Sequence, residues 1–273
     1  QAIMEREDLL HIRPVLLTVL SSLVKPASYL NEDQIKVRYD HDKKPIQPLD
    51  LFQSRAISAL DAQHKISERL ASAKTTIEVA SAHEMPIADR SVDRIITSPP
   101  YINAVDYPMA HKYSLFALNL IVPNEFKEHC REYIGLTERA VRADDLREPP
   151  KSEDVSMGVV SDLWKIGTPT ARNRAFVVSQ YFSLMRAFFL DSYRVLKKDG
   201  LLFFVVGESN NICGMQVPTA DLLEDIANEA GLRTETKFFH VIANRSSMRL
   251  NRSSTGGQIR RETVFVFRKF ENA

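Results

Sequence analysis

The stretch LKKDGLLFFVVG, residues 196–207, decides the fold of this chain. Its second half is an apolar run without a charge, the pattern of a strand that is buried on both faces of a sheet. Its first half predicts a Lys-rich helix end followed by an Asp-Gly turn. The residues that lead into it, up to its first residue, place large side chains at helical spacing: Tyr181, Met185, Phe188, Phe189, Tyr193 and Leu196. A helix that leads into such a strand predicts an α/β fold with a mainly parallel sheet, covered by helices on both faces.

Four further segments are rich in β-forming residues and are predicted to be strands: TTIEVAS (75–81), SVDRIIT (91–97), TKFFHVI (236–242) and ETVFVFRK (262–269). The last two can form an antiparallel pair at the C-terminal end. Residues 218–231 predict a helix with Thr219 as its N-cap and Gly231 past its end. In sheets of this kind, ligands bind at the carboxyl ends of the strands.

Residues 1–74 are predicted to form a separate helical region with a linker. Apolar residues recur at helical spacing over 8–24, where Pro14 marks a break or a first turn, and a polar, proline-punctuated stretch follows. A second helix over 51–74 has one predicted apolar face, formed by Leu51, Ile57, Leu60, Ile66 and Leu70. We interpret both helices as structural elements.

The composition is that of an ordinary globular protein, since 44% of the residues are apolar and 26% are charged. With a formal net charge of only +1, any basic surface must be local. Cys130 and Cys213 lack the spacing of a metal site, which indicates a reduced, cytoplasmic protein without structural zinc. The longest apolar run, near residues 15–24, is too short to span a bilayer.

The segment after SVDRIIT is Ser98-Pro99-Pro100-Tyr101, in which two prolines stand between a hydroxyl and an aromatic ring. Proline lacks the N–H that a sheet needs and disfavours helix at the residue before it, so the strand should end in a rigid, extended corner. The Ser98 hydroxyl and the Pro99 carbonyl can each accept a hydrogen bond, and the Tyr101 ring can stack on a base. These groups suit the exocyclic amine of an extruded cytosine or adenine.

The corner and its surroundings resemble the amino-methyltransferases that use S-adenosylmethionine. TSPPY resembles their motif IV, and longer segments match in the same order: IEVASAHEMPIADRSVDRIITSPPY, YINAVDYPMAHKYSLFAL and RVLKKDGLLFFVVGES. The resemblance covers roughly residues 75–270. It implies a Rossmann-like methyltransferase sheet with an antiparallel last strand, in a catalytic domain over residues 75–273. The insertion at 123–175 is then either a target-recognition element or a helical cover.

The same resemblance implies that a methyl group is transferred from S-adenosylmethionine to an exocyclic amine in DNA. Serine in the first motif position favours N4 of cytosine over N6 of adenine. The resemblance assigns catalytic roles to Ser98, Pro99, Pro100 and Tyr101, and cofactor binding to Ser81 and Ala82. Ser81 stands where the family usually has an acidic residue near the adenine ring of the cofactor.

One family feature is missing, the glycine-rich loop that brings the backbone close to the cofactor. The chain has nine glycines, and none of them forms a G-x-G pattern. We therefore expect the chain alone to bind S-adenosylmethionine weakly or not at all, and a second polypeptide or N-terminal fragment to supply the loop. Two other functions stay open: a catalytically silent DNA-binding or regulatory subunit, and an RNA or protein amide methyltransferase.

A basic segment near the C-terminus predicts contacts with DNA. Over residues 241–269, seven arginines and lysines stand against one acid, Glu262. The arginines predicted to contact phosphates are Arg245, Arg249, Arg252, Arg260 and Arg261. Cations on a loop rich in Ser, Asn and Gly can follow a phosphate backbone, and the alternative is a solvated hairpin tip.

Overall fold

The structure is a computed structural model, and it describes residues 6–32, 38–69, 74–102, 106–135, 138–151, 155–242 and 261–270. The chain divides into two compact units. The first comprises residues 1–78 and 107–126, and the second comprises residues 79–106 and 127–273.

The first unit is built mainly from helices α1 (Arg13–Leu23), α2 (Pro48–Arg69) and α3 (Tyr107–Ala117). Pro14 lies in the first turn of α1, as the sequence predicts. The N–H groups of a first turn have no partner inside the helix, so the N–H that proline lacks costs no hydrogen bond there. In the parts of the chain that the structure describes, no helix is both long and apolar enough to cross a membrane.

The apolar face predicted for α2 is not the face that packs. Ile57 and Ile66 are exposed, whereas Ala56 is buried in a small core with Leu16 and Val19 of α1. Helix packing is decided by which side chains fit between the two backbones, and a short alanine allows a closer approach than a branched isoleucine. Hydrophobicity alone therefore pointed to the wrong side of this helix.

The second unit contains the sheet and the remaining helices. The helices are α4 (Phe126–His129), α5 (Met157–Lys165), α6 (Pro169–Val195) and α7 (Thr219–Glu229). The strands are β1 (Val92–Thr97), β2 (Leu196–Gly207), β3 (Asn210–Ile212), β4 (Met215–Val217), β5 (Leu232–Val241) and β6 (Arg261–Lys269). Short 3₁₀ turns occupy Glu138–Ala140 and Asp144–Leu146.

The main sheet has four strands in the order β1-β2-β6-β5. β1 is parallel to β2, and β6 is antiparallel to both β2 and β5. It follows that β1, β2 and β5 run in one direction while the C-terminal strand β6 runs in the other. β3 and β4 form a separate small hairpin. The predicted mixture of helices and sheet is confirmed, as is the antiparallel pairing of the last two strands. The mainly parallel sheet is found only in part, because β1 and β2 form the one parallel pair of the described sheet.

The strand predicted at 75–81 is wrong. Residues 74–80 form no regular structure, with Ile77 90% exposed and Val79 fully exposed. A β-rich run becomes a strand only when a neighbouring strand satisfies its backbone N–H and C=O groups. In the described sheet, β1 is the edge strand and pairs only with β2.

The helix end and turn predicted for residues 196–200 belong instead to β2, since α6 ends at Val195. The pairing of β1 with β2 shifts register here, and the residues of β2 between Leu196 and Leu201 bulge out. Asp199 has a φ of 61°, and a Cβ on Gly200 would lie 2.9 Å from the Lys197 carbonyl oxygen. The Asp-Gly pair therefore bends the chain within the strand, as a bulge.

The ends of α7 fit the prediction only in part. Gly231 follows the helix with a φ of 90°, the left-handed conformation expected past a helix end. Thr219 is not the N-cap: it is the first helical residue, and Pro218 precedes it without capping through a side chain. The Thr219 hydroxyl donates instead to the side-chain oxygen of Asn210, nine positions earlier, at 3.0 Å, and this contact competes with the local cap.

One face of the sheet is packed against α6 and α7. This covered face includes Leu202, Phe204 and Val206 of β2 and Phe265 and Phe267 of β6, all of them fully buried. The ring of Phe189 on α6 lies 5.1 Å from the ring of Phe204 and 6.0 Å from that of Phe267, measured between centroids. Close aromatic contacts of this kind add to the free energy of apolar burial.

The other face, called the open face below, is also apolar but stays partly exposed. It carries Phe203 and Val205 of β2 and Val264 and Val266 of β6, which alternate with the buried residues. At the sheet's edges, Ile96 of β1 is 79% exposed and Phe238 of β5 is 50% exposed. Cover on both faces was predicted from the apolar run of β2, and the exposure of this second face contradicts that prediction.

Phe204→Ala is expected to lower the free energy of unfolding by about 3–5 kcal/mol, because it removes a buried ring from the contact with α6. Phe203→Ala, on the open face, should cost clearly less because its ring is already partly in water. Urea unfolding followed by the fluorescence of Trp164, the single tryptophan, which packs on this core, measures both. Equal losses would contradict the assignment of the two faces.

Candidate functional site

The corner Ser98–Tyr101 lies directly after β1, at the carboxyl end of that strand. β1 ends at Thr97, because Pro99 and Pro100 cannot donate to a further sheet hydrogen bond. Ser98 is exposed and Pro99 is buried. The predicted position of the corner is therefore confirmed by the strand bounds.

The Tyr101 side chain is held at its far end by a residue from the last strand. Its hydroxyl donates to Oε1 of Glu262 at 2.6 Å. Glu262 lies near the start of β6, between Gly207 of β2 and His240 of β5. The Tyr101 ring also packs against the main core. Both the body and the tip of the ring are thus in contact with protein groups.

A second contact fixes the backbone after the corner. Ile102 is fully buried, and its carbonyl oxygen accepts a hydrogen bond from Nδ2 of Asn210 at 2.9 Å. The Asn210 side-chain oxygen in turn accepts from the Thr219 hydroxyl at 3.0 Å. Asn210 therefore links the corner to β3 and to the start of α7.

Glu208 and Arg261 form an ion pair beside Glu262. Arg261 donates through Nε to Glu208 at 2.8 Å and through a second nitrogen to the other carboxylate oxygen. The hydrogen bond from Arg261 holds the pKa of Glu208 below its ordinary value. Arg261 also lies 4.2 Å from the centre of the Phe239 ring.

The structure describes one of the five arginines that are predicted to contact phosphates. Arg261 is described, and its charge is balanced by Glu208, which leaves less attraction for a phosphate. The other four predicted arginines lie outside the described residues: Arg245, Arg249, Arg252 and Arg260. Contact of these residues with DNA stays a prediction.

The insertion at 123–175 reaches the corner through Gly135. This residue has a φ of 86°, which favours glycine, and a Cβ placed on it would lie 3.3 Å from the Cβ of Pro100. The close approach packs the insertion against the second proline. The choice between a helical cover and a target-recognition element stays a prediction.

Arg194 at the end of α6 clamps the segment that leads into β1. Its guanidinium donates to the carbonyl oxygens of Met85 and Ile87 at 2.9 and 2.7 Å, and to Asp89 at 2.6 Å. Asp191 accepts from Arg194 at 2.7 Å and from the Met85 N–H at 2.7 Å. Burial alone would raise the pKa of Asp191, but these hydrogen bonds outweigh it and hold that pKa below its ordinary value.

The two predicted cofactor-binding residues lie in a turn just before this clamp. Ser81 and Ala82 are both exposed, and the Ser81 hydroxyl lies 2.8 Å from Nδ1 of His83. The clamp holds the chain at the amino end of β1, where the Ser91 N–H donates to the Val195 carbonyl at 2.9 Å. The turn and the corner are thus built by separate sets of contacts, and cofactor binding by Ser81 and Ala82 stays a prediction.

Sequence reasoning did not identify the hydrogen bonds formed around the corner. Asn210 and Glu208 follow the buried strand β2 at its carboxyl end, a position where polar residues are a recognisable signal. Glu262 is the single acid of the basic segment over 241–269, and that isolation was the available signal. Neither signal shows that Glu262 accepts a hydrogen bond from Tyr101.

Within the described ranges, no group of three or more His, Cys, Asp or Glu side chains is placed to hold a metal ion. No family model matches the chain, and no curated protein matches it either. The corner and the side chains that hold it are therefore the basis on which a function is assigned.

Asp191→Asn is expected to weaken the acid sensitivity of folding. A carboxylate with a lowered folded pKa contributes stability above its ordinary pKa of about 3.9, and that contribution is lost as the pH falls through the lower folded value. The variant should be less stable at neutral pH and lose less stability between about pH 5 and pH 2. Thermal unfolding across this range measures the effect.

The exposed Asp225 on α7 provides a matched control, since Asp225→Asn makes the same chemical change outside the clamp. The control variant should follow the wild-type pH profile. An acid sensitivity that is unchanged in Asp191→Asn would show that the clamp does not respond to protonation of Asp191.

Proposed function

We propose that this chain is the base-binding part of a DNA amino-methyltransferase that uses S-adenosylmethionine, with N4 of cytosine favoured over N6 of adenine. The observation that carries the proposal is the rigid corner at the carboxyl end of β1. There Ser98 is exposed, and the Tyr101 ring is held between the core and Glu262.

The chemistry of an exocyclic amine explains why such a corner is needed. The lone pair of the amine is delocalised into the base ring, so the nitrogen is a poor nucleophile. The Ser98 hydroxyl and the Pro99 carbonyl would each accept one of its protons and draw the nitrogen toward a tetrahedral shape. Tyr101 would stack on the face of the extruded base and keep its amine at the two acceptors.

The strand directions are compatible with the methyltransferase sheet. A reversed last strand, β6, lies between two strands that run parallel to each other, β2 and β5. The antiparallel last strand that the resemblance implies has the same direction. This agreement supports the Rossmann-like interpretation without being specific to it, because mixed sheets are common.

The residues present do not fit a complete site for S-adenosylmethionine. The sequence has no glycine-rich loop, and Ser81 replaces the usual acid with a hydroxyl that lies against His83. β1 is an outer strand of the described sheet and pairs on one side only. Ile96 on this strand is 79% exposed. We propose that a second polypeptide or an N-terminal fragment pairs with β1 and brings the glycine-rich loop beside the corner.

The incomplete cofactor site also favours a second candidate function. A silent DNA-binding or regulatory subunit would use the same corner to hold a base and would transfer no methyl group. The two candidates agree on base binding and differ only in what happens when the cofactor segment is supplied.

Base recognition is tested with single-stranded oligonucleotides, because their bases reach the corner without being extruded from a duplex. The chain is expected to bind oligo-dC more tightly than oligo-dT, since thymine has no exocyclic amine. Ser98→Ala should reduce this preference by several fold, as one hydrogen bond contributes about 0.5–1.5 kcal/mol. Fluorescence anisotropy at one fixed salt concentration measures all affinities.

Oligo-dT is the internal control, because its affinity should not change in Ser98→Ala. Oligo-dA and oligo-rC extend the same series to the adenine amine and to RNA. Tighter binding of oligo-rC than of oligo-dC would favour the RNA methyltransferase, and equal affinity for all four polymers would rule out recognition of an amine.

Calorimetric titration of the chain with S-adenosylmethionine tests the incomplete cofactor site. Binding is expected to be weak or undetectable, because the sequence has no G-x-G loop to bring the backbone close to the cofactor. Micromolar affinity would show that other residues of this chain form the site. Measuring methyl transfer to oligo-dC after adding the missing segment, once identified, separates the enzyme from the silent subunit.

A further inference from the structure

We propose that Glu262 is a positioning residue, which holds the Tyr101 ring at the corner so that a base can stack on it. The inference deepens the proposed function and rests on it, because the orientation of the ring matters only when a base is bound there. Glu262 acts through Tyr101 and does not touch the reacting amine.

The contact between the two side chains is short and spans the sequence. The Tyr101 hydroxyl lies 2.6 Å from Oε1 of Glu262, and the two residues are 161 positions apart. This distance is typical of a hydroxyl that donates to a charged carboxylate, which is about twice as strong as a neutral hydrogen bond. A side chain from the last strand is therefore needed to complete a corner that follows the first strand.

The Tyr101 ring is restrained from both ends. Its backbone follows Pro100, whose φ is fixed, and precedes Ile102, which is fully buried and held by Asn210. The hydrogen bond to Glu262 fixes the hydroxyl at the opposite end. With both ends held, rotation about the Cα–Cβ bond cannot swing the ring away without breaking the contact, and packing against the core restricts rotation of the ring plane.

Glu262 is itself held in place by neighbouring strands and by His240. Its backbone is in β6, which has a partner strand on each side, and it lies opposite Gly207 and His240. The side chain is only 23% exposed, and its second oxygen lies 3.3 Å from Nδ1 of His240. The acceptor therefore comes from a central strand of the sheet and not from a loop.

A ring that is already fixed loses less conformational freedom when a base binds. Immobilising one side chain on binding typically weakens an affinity by roughly 2- to 10-fold. Removing the anchor should therefore weaken stacking by about that factor, although the ring itself is still present.

The test compares Glu262→Gln with Glu262→Ala in the oligo-dC anisotropy assay. Both variants remove the same negative charge, so any gain in general attraction for phosphates is equal. Only glutamine keeps an oxygen that can accept from the Tyr101 hydroxyl. We expect Glu262→Gln to bind about as well as the wild type and Glu262→Ala to bind roughly 2- to 10-fold more weakly.

Two further variants separate positioning from general loss of structure. In a Tyr101→Phe background, which keeps the ring but lacks the hydroxyl, Glu262→Ala should cause no additional loss. Glu235→Ala removes a carboxylate elsewhere on the sheet, one that pairs with Arg268, and should not weaken binding. The fluorescence of Trp164 confirms that each variant is folded under the assay conditions.

The outcomes distinguish this inference from the function on which it rests. If the wild type prefers oligo-dC but Glu262→Ala binds equally well, Glu262 does not position the ring and the base-binding function stands. The same holds if Glu262→Ala weakens binding equally in the tyrosine and phenylalanine backgrounds. If the wild type has no preference for an amine-bearing base, the proposed function fails and the inference fails with it.

Discussion

The packing of α6 on the covered face of β2 is the interaction on which the second unit depends. Phe189 contacts both Phe204 and Phe267, so a single helix holds the two central strands together. α6 passes directly into β2 at Leu196, and β1 then pairs in parallel with β2. Because parallel strands end at the same edge, the corner after β1 lies at the same edge as the polar residues after β2.

The sequence predicted what depends on local pattern. It identified α6, the buried strand, the last strand pair and the corner, because helical spacing, an unbroken apolar run and two prolines leave few alternatives. It failed where a distant segment decides the outcome. Residues 75–81 form no strand without a partner, Thr219 bonds to Asn210 instead of capping, and no local signal joins Tyr101 to Glu262.

Two carboxylates lie near the corner, and each interacts with a different kind of partner. Glu208 is paired with Arg261, which keeps its pKa low and its charge balanced. Glu262 accepts a hydrogen bond from the Tyr101 hydroxyl. The groups left to contact a ligand at the corner are then mainly neutral acceptors and a ring, which suits an uncharged base better than a cation or an anion.

The long separation between Tyr101 and Glu262 has a consequence for how the protein is made. During synthesis, β1 leaves the ribosome before β2, and both precede β6, so the corner is completed only after the last strand has emerged. Until β2 has emerged, β1 lacks its partner strand and can pair with other nascent chains. A chain arrested before residue 261 already contains Ser98 and both prolines, but its Tyr101 hydroxyl lacks the Glu262 acceptor.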